Sequence, residues 1–268
     1  MKKPELIDIG VNLTNAAFHQ DLPGVIRRAA EQGVRRLIVT GTDVEESRLA
    51  FQLTQQYPQQ LYSTAGIHPH DAKNATADSW DAIRALAGYG SVVAVGECGL
   101  DFNRDYSPRA VQEAVFIRQL ELAAELNMPV FLHERDANAR FIAILRDYRA
   151  ALPAAVLHCF TGSASDLKAC LALDLHIGVT GWICDERRGG ELLKLVKDIP
   201  ANRLMLETDA PYLLPRSLKP KPKSRRNEPC YLPHVAASVA AARGEDLDQL
   251  LSSIQRVTER FFNLPVIA

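Results

Sequence analysis

The feature of this sequence that most constrains its fold is an alternation, repeated eight times, of a short apolar run and a helix-like segment. Each apolar run has the length and composition of a buried β-strand. The eight predicted strands are Leu6–Val11, Arg36–Gly41, Leu61–Ile67, Val92–Glu97, Pro129–His133, Ala154–Cys159, His176–Thr180 and Arg203–Thr208. Alternation of this kind is typical of parallel strands that are joined by right-handed crossovers.

The number of strand–helix units indicates a closed barrel. Eight such units in a chain of 268 residues match the size of a (β/α)8 TIM barrel, so we predict this α/β fold. A doubly wound open sheet is the alternative, but the G-x-G-x-x-G turn typical of that fold does not follow the first strand. No repeat and no change in composition marks a boundary within the chain. We therefore predict one domain over residues 1–268.

Composition limits the partners of the protein. The formal net charge is -1, so attraction to a polyanion requires local clustering of cations. No run of about 18 apolar residues is present, and the opening Met1-Lys2-Lys3-Pro4 lacks an apolar signal core, so we expect no membrane partner. The five cysteines form no C-x-x-C pair, which favours reduced thiols over a zinc site or a disulfide framework. We expect a cytoplasmic monomer.

Polar side chains follow several predicted strands at their carboxyl ends. The four strongest candidates, after strands four, five, six and eight, are Glu97, His133, His158 and Asp209. In a barrel the carboxyl ends of the strands lie on one face, where side chains distant in sequence converge. Two imidazoles and two carboxylates suit Mg2+, Mn2+ or Zn2+, which can activate water and hold the oxygens of a phosphate. Each histidine alone is more typical of a hydrogen-bonded core residue than of a ligand, but the repeated placement favours a metal site.

Three polar residues are candidates for catalysis. Asp209 is suited to orient or deprotonate the attacking water, whereas Glu207, two residues earlier, is expected to be structural. His68, which follows strand three, is expected to face the site and to balance charge on a phosphate. Glu97 is expected to act together with the metal. His70 is equally well explained as an exposed loop residue.

A basic segment follows the last predicted strand. Residues 216–226 hold six cationic side chains and no acidic one. Such an extended, proline-containing loop could set its cations against successive phosphates, and the alternative is an ordinary solvated loop. The predicted phosphate contacts, which include one residue after strand five, are Lys221, Lys223, Arg225, Arg226 and Arg135. Trp182, Tyr212 and Phe102 could stack on a base, an interpretation that competes with core packing.

Six motifs are spread along the chain. They are G-I-H-P-H (Gly66–His70), G-E-C-G-L-D-F (Gly96–Phe102), P-V-F-L-H-E-R-D-A (Pro129–Ala137), H-C-F-T-G (His158–Gly162), E-T-D-A-P-Y-L (Glu207–Leu213) and R-R-N-E-P (Arg225–Pro229). In this order they resemble the TatD family of metal-dependent deoxyribonucleases, within the amidohydrolase-like barrel superfamily of metal-dependent hydrolases. The resemblance implies that Glu97, His133 and His158 bind metal and that Asp209 is the remaining acidic residue. It also implies a Mg2+-dependent 3′-5′ exonuclease of single-stranded DNA and RNA that acts in DNA repair.

The first predicted strand departs from the D-x-H-x-H pattern of most of the family. It reads Asp8-Ile9-Gly10-Val11-Asn12, so Gly10 and Asn12 stand where two histidines complete a second metal position. We expect that position to be weak, absent or filled by a hydrated Mg2+. The D-I-G-V-N-L-T opening and G-W-I-C-D-E-R-R-G (Gly181–Gly189) resemble the TatD branch of the family rather than its His-His relatives.

Two other functions stay open from the residues. Related barrels with similar ligands hydrolyse small phosphoesters or amides, although small neutral substrates do not need six cations. A barrel without its strand-one ligands could instead bind nucleic acid without catalysis. The four site groups that are present disfavour this second alternative.

Overall fold

The computed structural model describes residues 5–265 of the chain. Its strands form one eight-stranded sheet in which they follow one another in chain order, as in a (β/α)8 TIM barrel. The strands are β1 (Leu6–Val11), β2 (Val34–Val39), β3 (Leu61–Ala65), β4 (Val92–Asp101), β5 (Val130–Arg135), β6 (Ala155–Leu157), β7 (His176–Val179) and β8 (Leu204–Leu206). The predicted fold is confirmed, and the doubly wound alternative is wrong because such sheets reverse their strand order.

Helices follow the strands, and capping residues determine where several of them begin. The helices are α1 (Leu22–Glu31), α2 (Val44–Gln56), α3 (Ala77–Ala87), α4 (Arg109–Leu126), α5 (Asn138–Tyr148), α6 (Ala164–Ala172), α7 (Gly190–Leu195), α8 (Leu232–Arg243) and α9 (Leu247–Phe261). Asp43 caps α2 by accepting a hydrogen bond from the backbone N–H of Glu46 at 2.8 Å. Asp246 caps α9 in the same way, from Gln249 at 3.0 Å. Such caps satisfy N–H groups that have no partner within the helix.

Contacts between Cα atoms divide the chain into two compact units. The first holds the chain up to Val39, Cys159–Ala164 and everything from His176 onward, and the second holds Thr40–His158 and Ser165–Leu175. Within the first unit β1 pairs with β2 and β7 with β8. Within the second, β3 to β6 pair in order, all in parallel. The single domain over residues 1–268 stays a prediction. Residues 1–4 and 266–268 lie outside the described residues, and so does the interpretation of Met1–Pro4 as lacking a signal core.

Strand β4 is longer than the sequence analysis predicts. The prediction ends this strand at Glu97, but it continues to Asp101 and all ten of its residues are buried. Cys98 and Leu100 are both 0% exposed, so the buried strand continues past the carboxylate. Glu97 therefore lies within a strand, and Asp101 is the acidic residue at its end.

The second unit gives β4 a rigid support. Ile67, Ile83, Val92 and Leu122 belong to one buried apolar cluster. Full burial of each such aliphatic side chain contributes roughly 2 kcal/mol. No helix between residues 5 and 265 combines the length and the apolarity that crossing a membrane requires.

Candidate metal centre

The Glu97 carboxylate is the centre of a cluster of histidines in the second unit. Its Oε1 atom lies 2.7 Å from His158 Nε2, 2.9 Å from His133 Nδ1 and 3.3 Å from His68 Nε2. Glu97 and His158 are each 6% exposed, so the cluster is largely removed from water. Three histidines, one within β5 and the other two shortly after β3 and β6, therefore meet at one carboxylate oxygen.

The backbone of β4 directs the Glu97 side chain toward these rings. The register between β4 and β5 shifts around Glu97, and such a bulge changes the direction of a side chain. Gly96 and Gly99 have φ angles of 132° and 146°, which glycine adopts without a steric penalty. A Cβ atom at Gly99 would lie 1.9 Å from the backbone oxygen of His133. Glycine at this position therefore allows β5 to bring His133 close to β4.

His68 is held as a hydrogen-bond donor toward Glu97. Its Nδ1 accepts a hydrogen bond from the backbone N–H of His70 at 3.1 Å. In the neutral ring the proton is therefore on Nε2, the atom that lies 3.3 Å from Glu97. Burial lowers the pKa of His68 to about 4, so the ring is neutral at pH 7. The predicted role of balancing phosphate charge does not fit a neutral ring, whereas a role as donor does.

Electrostatic effects keep Glu97 ionised. Burial acts to raise the pKa of Glu97, but the adjacent His158 ring and the hydrogen bonds from His133 and His158 outweigh it and hold the pKa well below its ordinary value. Burial also acts to lower the pKa of His133, but the adjacent Asp101 and Glu97 carboxylates raise it above the ordinary value. A metal ligand must be deprotonated before it binds the ion, and Glu97 meets this condition at neutral pH.

Asp101 and His70 belong to the same cluster, although sequence reasoning missed Asp101 and explained His70 equally well as an exposed loop residue. Asp101 Oδ2 lies 2.7 Å from His70 Nε2 and 3.6 Å from His133 Nε2. Its Oδ1 accepts hydrogen bonds from the backbone N–H groups of Asn103 and Arg104 at 3.0 and 2.8 Å. The exposed-loop interpretation of His70 is wrong, because its ring is half-buried against this carboxylate. The signal for Asp101 was the buried run of β4, which continues to this residue.

The cluster fits a divalent cation. Ligand atoms of His68, Glu97 and His133 all lie within 4.8 Å of one another, and His158 Nε2 lies 2.7 Å from the same Glu97 oxygen. Nε2 of His133 is a buried ring nitrogen without a hydrogen-bond partner among residues 5–265, and the nearby Asp101 carboxylate favours the proton at this nitrogen. For metal binding the other nitrogen, Nδ1, would give up its hydrogen bond to Glu97 and offer its lone pair to the ion. Imidazole ligands suit Zn2+, and carboxylate with water suits Mg2+ or Mn2+.

Asp209 lies in the first unit, shortly after β8. Its backbone N–H donates to the Gly10 carbonyl at 2.9 Å, and its Oδ1 accepts a hydrogen bond from Asn12 Nδ2 at 3.1 Å. Glu207 is fully buried and accepts a hydrogen bond from the backbone N–H of Cys159, which is a structural role. The part of Asp209 in metal binding and catalysis stays a prediction.

The basic loop after β8 contains both paired and exposed cations. Arg226, a predicted phosphate contact, donates to Asp21 at 2.8 and 3.0 Å and to Glu228 at 2.6 Å. Because these carboxylates satisfy its charge within the fold, we assign Arg226 a structural role. The other predicted phosphate contacts are exposed and form no ion pair with any residue from 5 to 265: Arg135 in β5, and Lys221, Lys223 and Arg225 in the loop. Their contact with phosphate stays a prediction.

The chain is similar to one protein family over nearly its whole length. Residues 7–263 match the family model described as TatD related DNase. This chain belongs to the TatD family. The predicted family membership is thereby confirmed.

Two relatives and one solved structure place the chain within the TatD family. The 3'-5' ssDNA/RNA exonuclease TatD of Pectobacterium parmentieri (strain WPP163) is 54% identical over 259 residues, which cover 97% of this chain and 100% of that protein. The protein of the same name from Dickeya dadantii (strain 3937) is 55% identical over 257 residues, which cover 96% of this chain and 97% of that protein. The crystal structure of YJJV, a TatD homolog from Escherichia coli K12, has a TM-score of 0.88 at 29% identity and covers 97% of this chain and 98% of its own.

Proposed function

We propose that this protein is a metal-dependent 3′-5′ exonuclease that hydrolyses the phosphodiester bonds of single-stranded DNA and RNA. The observation that carries the proposal is the buried Glu97 carboxylate, which has three imidazole nitrogens within 3.3 Å of one oxygen. Such a cluster can hold a cation, and a cation can stabilise charge on a phosphate. The names of two relatives that share more than half of their residues with this chain support the substrate and the polarity.

We assign the metal to Glu97, His133 and His158, and take Mg2+ as the cation, with Mn2+ and Zn2+ as alternatives. A cation bound there would polarise an oxygen of the scissile phosphate. Glu97 contributes an ionised carboxylate, because its pKa is held low. Asp101, 3.6 Å from His133 Nε2, holds the ring proton on that side and so keeps Nδ1 available.

Asp209 is proposed to complete the ligand set and to position the attacking water and take its proton. Hydrolysis joins the water oxygen to phosphorus and breaks one P–O ester bond, so one proton must leave the water. Asn12 donates to Asp209 Oδ1 at 3.1 Å and thereby fixes the direction of the carboxylate. His68 donates a hydrogen bond from Nε2 and adds no charge. The cations proposed to contact substrate phosphates are Arg135, Lys221, Lys223 and Arg225.

Single-stranded oligonucleotides with free and blocked 3′ ends test this proposal. In the presence of Mg2+, we expect the free strand to shorten from its 3′ end and the blocked strand to persist. Equal degradation of the two strands would reject an exonuclease. Faster turnover of a small chromogenic phosphodiester than of the oligonucleotide would favour a hydrolase of small esters, and chelator-insensitive binding without cleavage would favour a non-catalytic protein.

A matched pair of variants tests the role of the metal centre. Glu97→Gln keeps the shape of the side chain and removes its charge, so we expect it to lose both metal binding and cleavage. Glu113→Gln makes the same chemical change in α4, where the carboxylate pairs with Arg140, and should keep both. Full activity of Glu97→Gln would refute the assignment of the centre.

We further propose that the protein acts as a one-domain monomer in the cytoplasm, in DNA repair. The five cysteines are free thiols in the structure, which suits a reducing compartment. Light scattering would give the mass in solution, and a single cooperative unfolding transition would support one domain. Cell fractionation and the sensitivity of a deletion strain to DNA damage would test the location and the pathway.

A further inference from the structure

The loops that follow β7 and β8 form a pocket that the proposed chemistry does not use. It has a volume of about 210 Å³ and lies entirely within the first unit. Its lining residues are Gly181, Trp182, Asp185 and Arg188 from the loop after β7, and Leu213, Leu214 and Arg216 from the loop after β8. In TIM barrels the loops after strands seven and eight frequently form a phosphate-binding site. The position of this pocket therefore suits an anionic ligand.

A buried carboxylate organises the arginines of the pocket. Asp185 is 4% exposed and accepts a hydrogen bond from Arg188 Nε at 3.0 Å. Arg216 Nε lies 3.7 Å from the same carboxylate, and its Nη2 donates to Glu186 at 3.1 Å. The two guanidinium groups are thus held in fixed orientations, which reduces the entropy that ligand binding would cost.

Each of these arginines keeps one nitrogen for a ligand. Within residues 5–265, Nη1 of Arg188 and Nη1 of Arg216 have no hydrogen-bond partner, because the contacts of both side chains run through Nε and Nη2. The guanidinium groups of Arg188 and Arg216 are permanently charged, and both are partly exposed to solvent at the pocket. A phosphate group can use both the charge and the two free donor groups.

The remaining lining suits a nucleobase. The Arg188 guanidinium lies 4.2 Å from the centre of the Trp182 ring, and Leu213 and Leu214 add half-buried aliphatic surface. Nucleobases stack on aromatic rings and on guanidinium planes. The volume of about 210 Å³ is below the ~300–1,000 Å³ of pockets that enclose drug-sized ligands. It therefore suits a single nucleotide unit rather than several.

We propose that this pocket binds one nucleoside phosphate unit of a single-stranded nucleic acid. The phosphate contacts Nη1 of Arg188 and Arg216, and the base packs against Trp182 and the two leucines. The inference rests on the proposed function, since nucleotides are the units of that substrate. Binding in this pocket requires neither a metal ion nor Glu97, so it can be measured in the absence of cleavage.

Trp182 provides a direct measurement of binding. The chain has two tryptophans, so a Trp80→Phe protein reports the fluorescence of Trp182 alone. This protein is titrated in EDTA with dAMP, with inorganic phosphate and with deoxyadenosine. We expect a saturable change with dAMP at a concentration at least tenfold lower than with either part alone. An equal response to phosphate or to deoxyadenosine would overturn the nucleotide assignment, and no response to dAMP would overturn the site.

Substitution of neighbouring arginines supplies the matched control. In the Trp80→Phe background, Arg188→Ala and Arg216→Ala each remove a charged donor and should weaken dAMP binding about tenfold or more. Arg187→Ala removes the same charge from the same loop, but this side chain does not line the pocket, so affinity should stay within about twofold. Equal weakening by Arg187→Ala and Arg188→Ala would indicate a general effect of charge and would overturn the inference.

Cleavage by the Mg2+-loaded protein separates this inference from the proposed function. The Arg188→Ala and Arg216→Ala proteins should show a higher KM for an oligonucleotide and an unchanged kcat. If the wild-type protein binds dAMP but cleaves no oligonucleotide, the proposed function fails and the pocket stands. If it shortens the oligonucleotide from the 3′ end but dAMP leaves Trp182 fluorescence unchanged, the pocket fails and the proposed function stands.

Discussion

Asp8 is a buried carboxyl group whose protonation couples folding to pH. It lies in β1 with no exposed surface, and its two oxygens contact the backbone N–H and the hydroxyl group of Thr208. Burial raises its pKa from 3.8 to about 8, and the hydrogen bonds with Thr208 offset only part of this effect. At neutral pH the carboxyl group is therefore protonated in the folded protein and ionised in the unfolded chain.

The sign and the size of the effect follow from this pKa. The folded state binds one proton more than the unfolded state between pH 3.8 and about 8. The free energy of unfolding therefore falls as pH rises through this range, by about 1.4 kcal/mol per pH unit. From pH 5 to pH 7 the contribution of Asp8 amounts to a loss of about 2.7 kcal/mol. The stabilisation is fully present below pH 3.8 and lost above about pH 8.

Asp8→Asn removes the titrating group and keeps an oxygen that accepts from the Thr208 N–H. Urea denaturation at pH 5 and pH 7 gives the free energy of unfolding of each protein. Between these pH values the wild-type protein should lose about 2.7 kcal/mol more than the variant. Asp248→Asn, at an exposed position in the first turn of α9, should show the wild-type loss. The reasoning would be refuted by equal losses in the wild-type and Asp8→Asn proteins.

Two further pairs of substitutions distinguish site residues from structural ones. Asp101→Asn removes the carboxylate beside His133 Nε2 and should weaken Mn2+ binding about 10- to 100-fold in calorimetric titration. The control Asp105→Asn changes a residue of an exposed ion pair and should bind Mn2+ as the wild type does. Unchanged affinity of Asp101→Asn would exclude Asp101 from the metal centre. Arg226→Ala leaves Asp21 and Glu228 with Arg28 as their remaining arginine partner. It should lower the Tm by roughly 3 °C without raising the KM for an oligonucleotide. Lys223→Ala should raise the KM for an oligonucleotide and leave the Tm unchanged. If Arg226→Ala raised the KM and Lys223→Ala did not, Arg226 would be the phosphate contact and Lys223 would not.

Hydrophobic pattern locates the strands well because strands buried on both faces are continuous apolar runs. The predicted bounds of β1, Leu6–Val11, are those of the structure. The prediction for β4 ends four residues early, at Glu97 rather than Asp101, because a charged residue reads as the end of a buried strand. Its carboxylate stays inside the protein only because three histidines from other elements surround it, and no local pattern contains that information.

Local sequence pattern also identifies some site residues and misses others, because it contains no information on contacts between distant parts of the chain. Glu97 and His133 are found by their place in motifs, whereas Asp101 becomes a site residue only through the ring that lies 3.6 Å from it. Arg226 shows the opposite error: the local excess of cations predicts a phosphate contact, but its side chain is paired with carboxylates in the fold. Its partner Asp21 is 205 positions away in the chain. Local sequence identifies the chemical groups, and long-range contacts determine which of them are satisfied within the fold.

The absence of the two family histidines at the end of β1 also has consequences for long-range contacts. Asn12 stands where most of the family has a histidine, and its side-chain amide donates to Asp209 Oδ1 at 3.1 Å and to the Ala210 carbonyl at 3.3 Å. A histidine that ligates a metal uses one ring nitrogen for the ion and has a single N–H left, so it cannot make both of these bonds. The Gly10 carbonyl accepts from the Asp209 N–H at 2.9 Å. The Asn12 amide therefore orients the Asp209 carboxylate without a histidine pair, whereas the backbone bond at Gly10 would be available to any residue at that position.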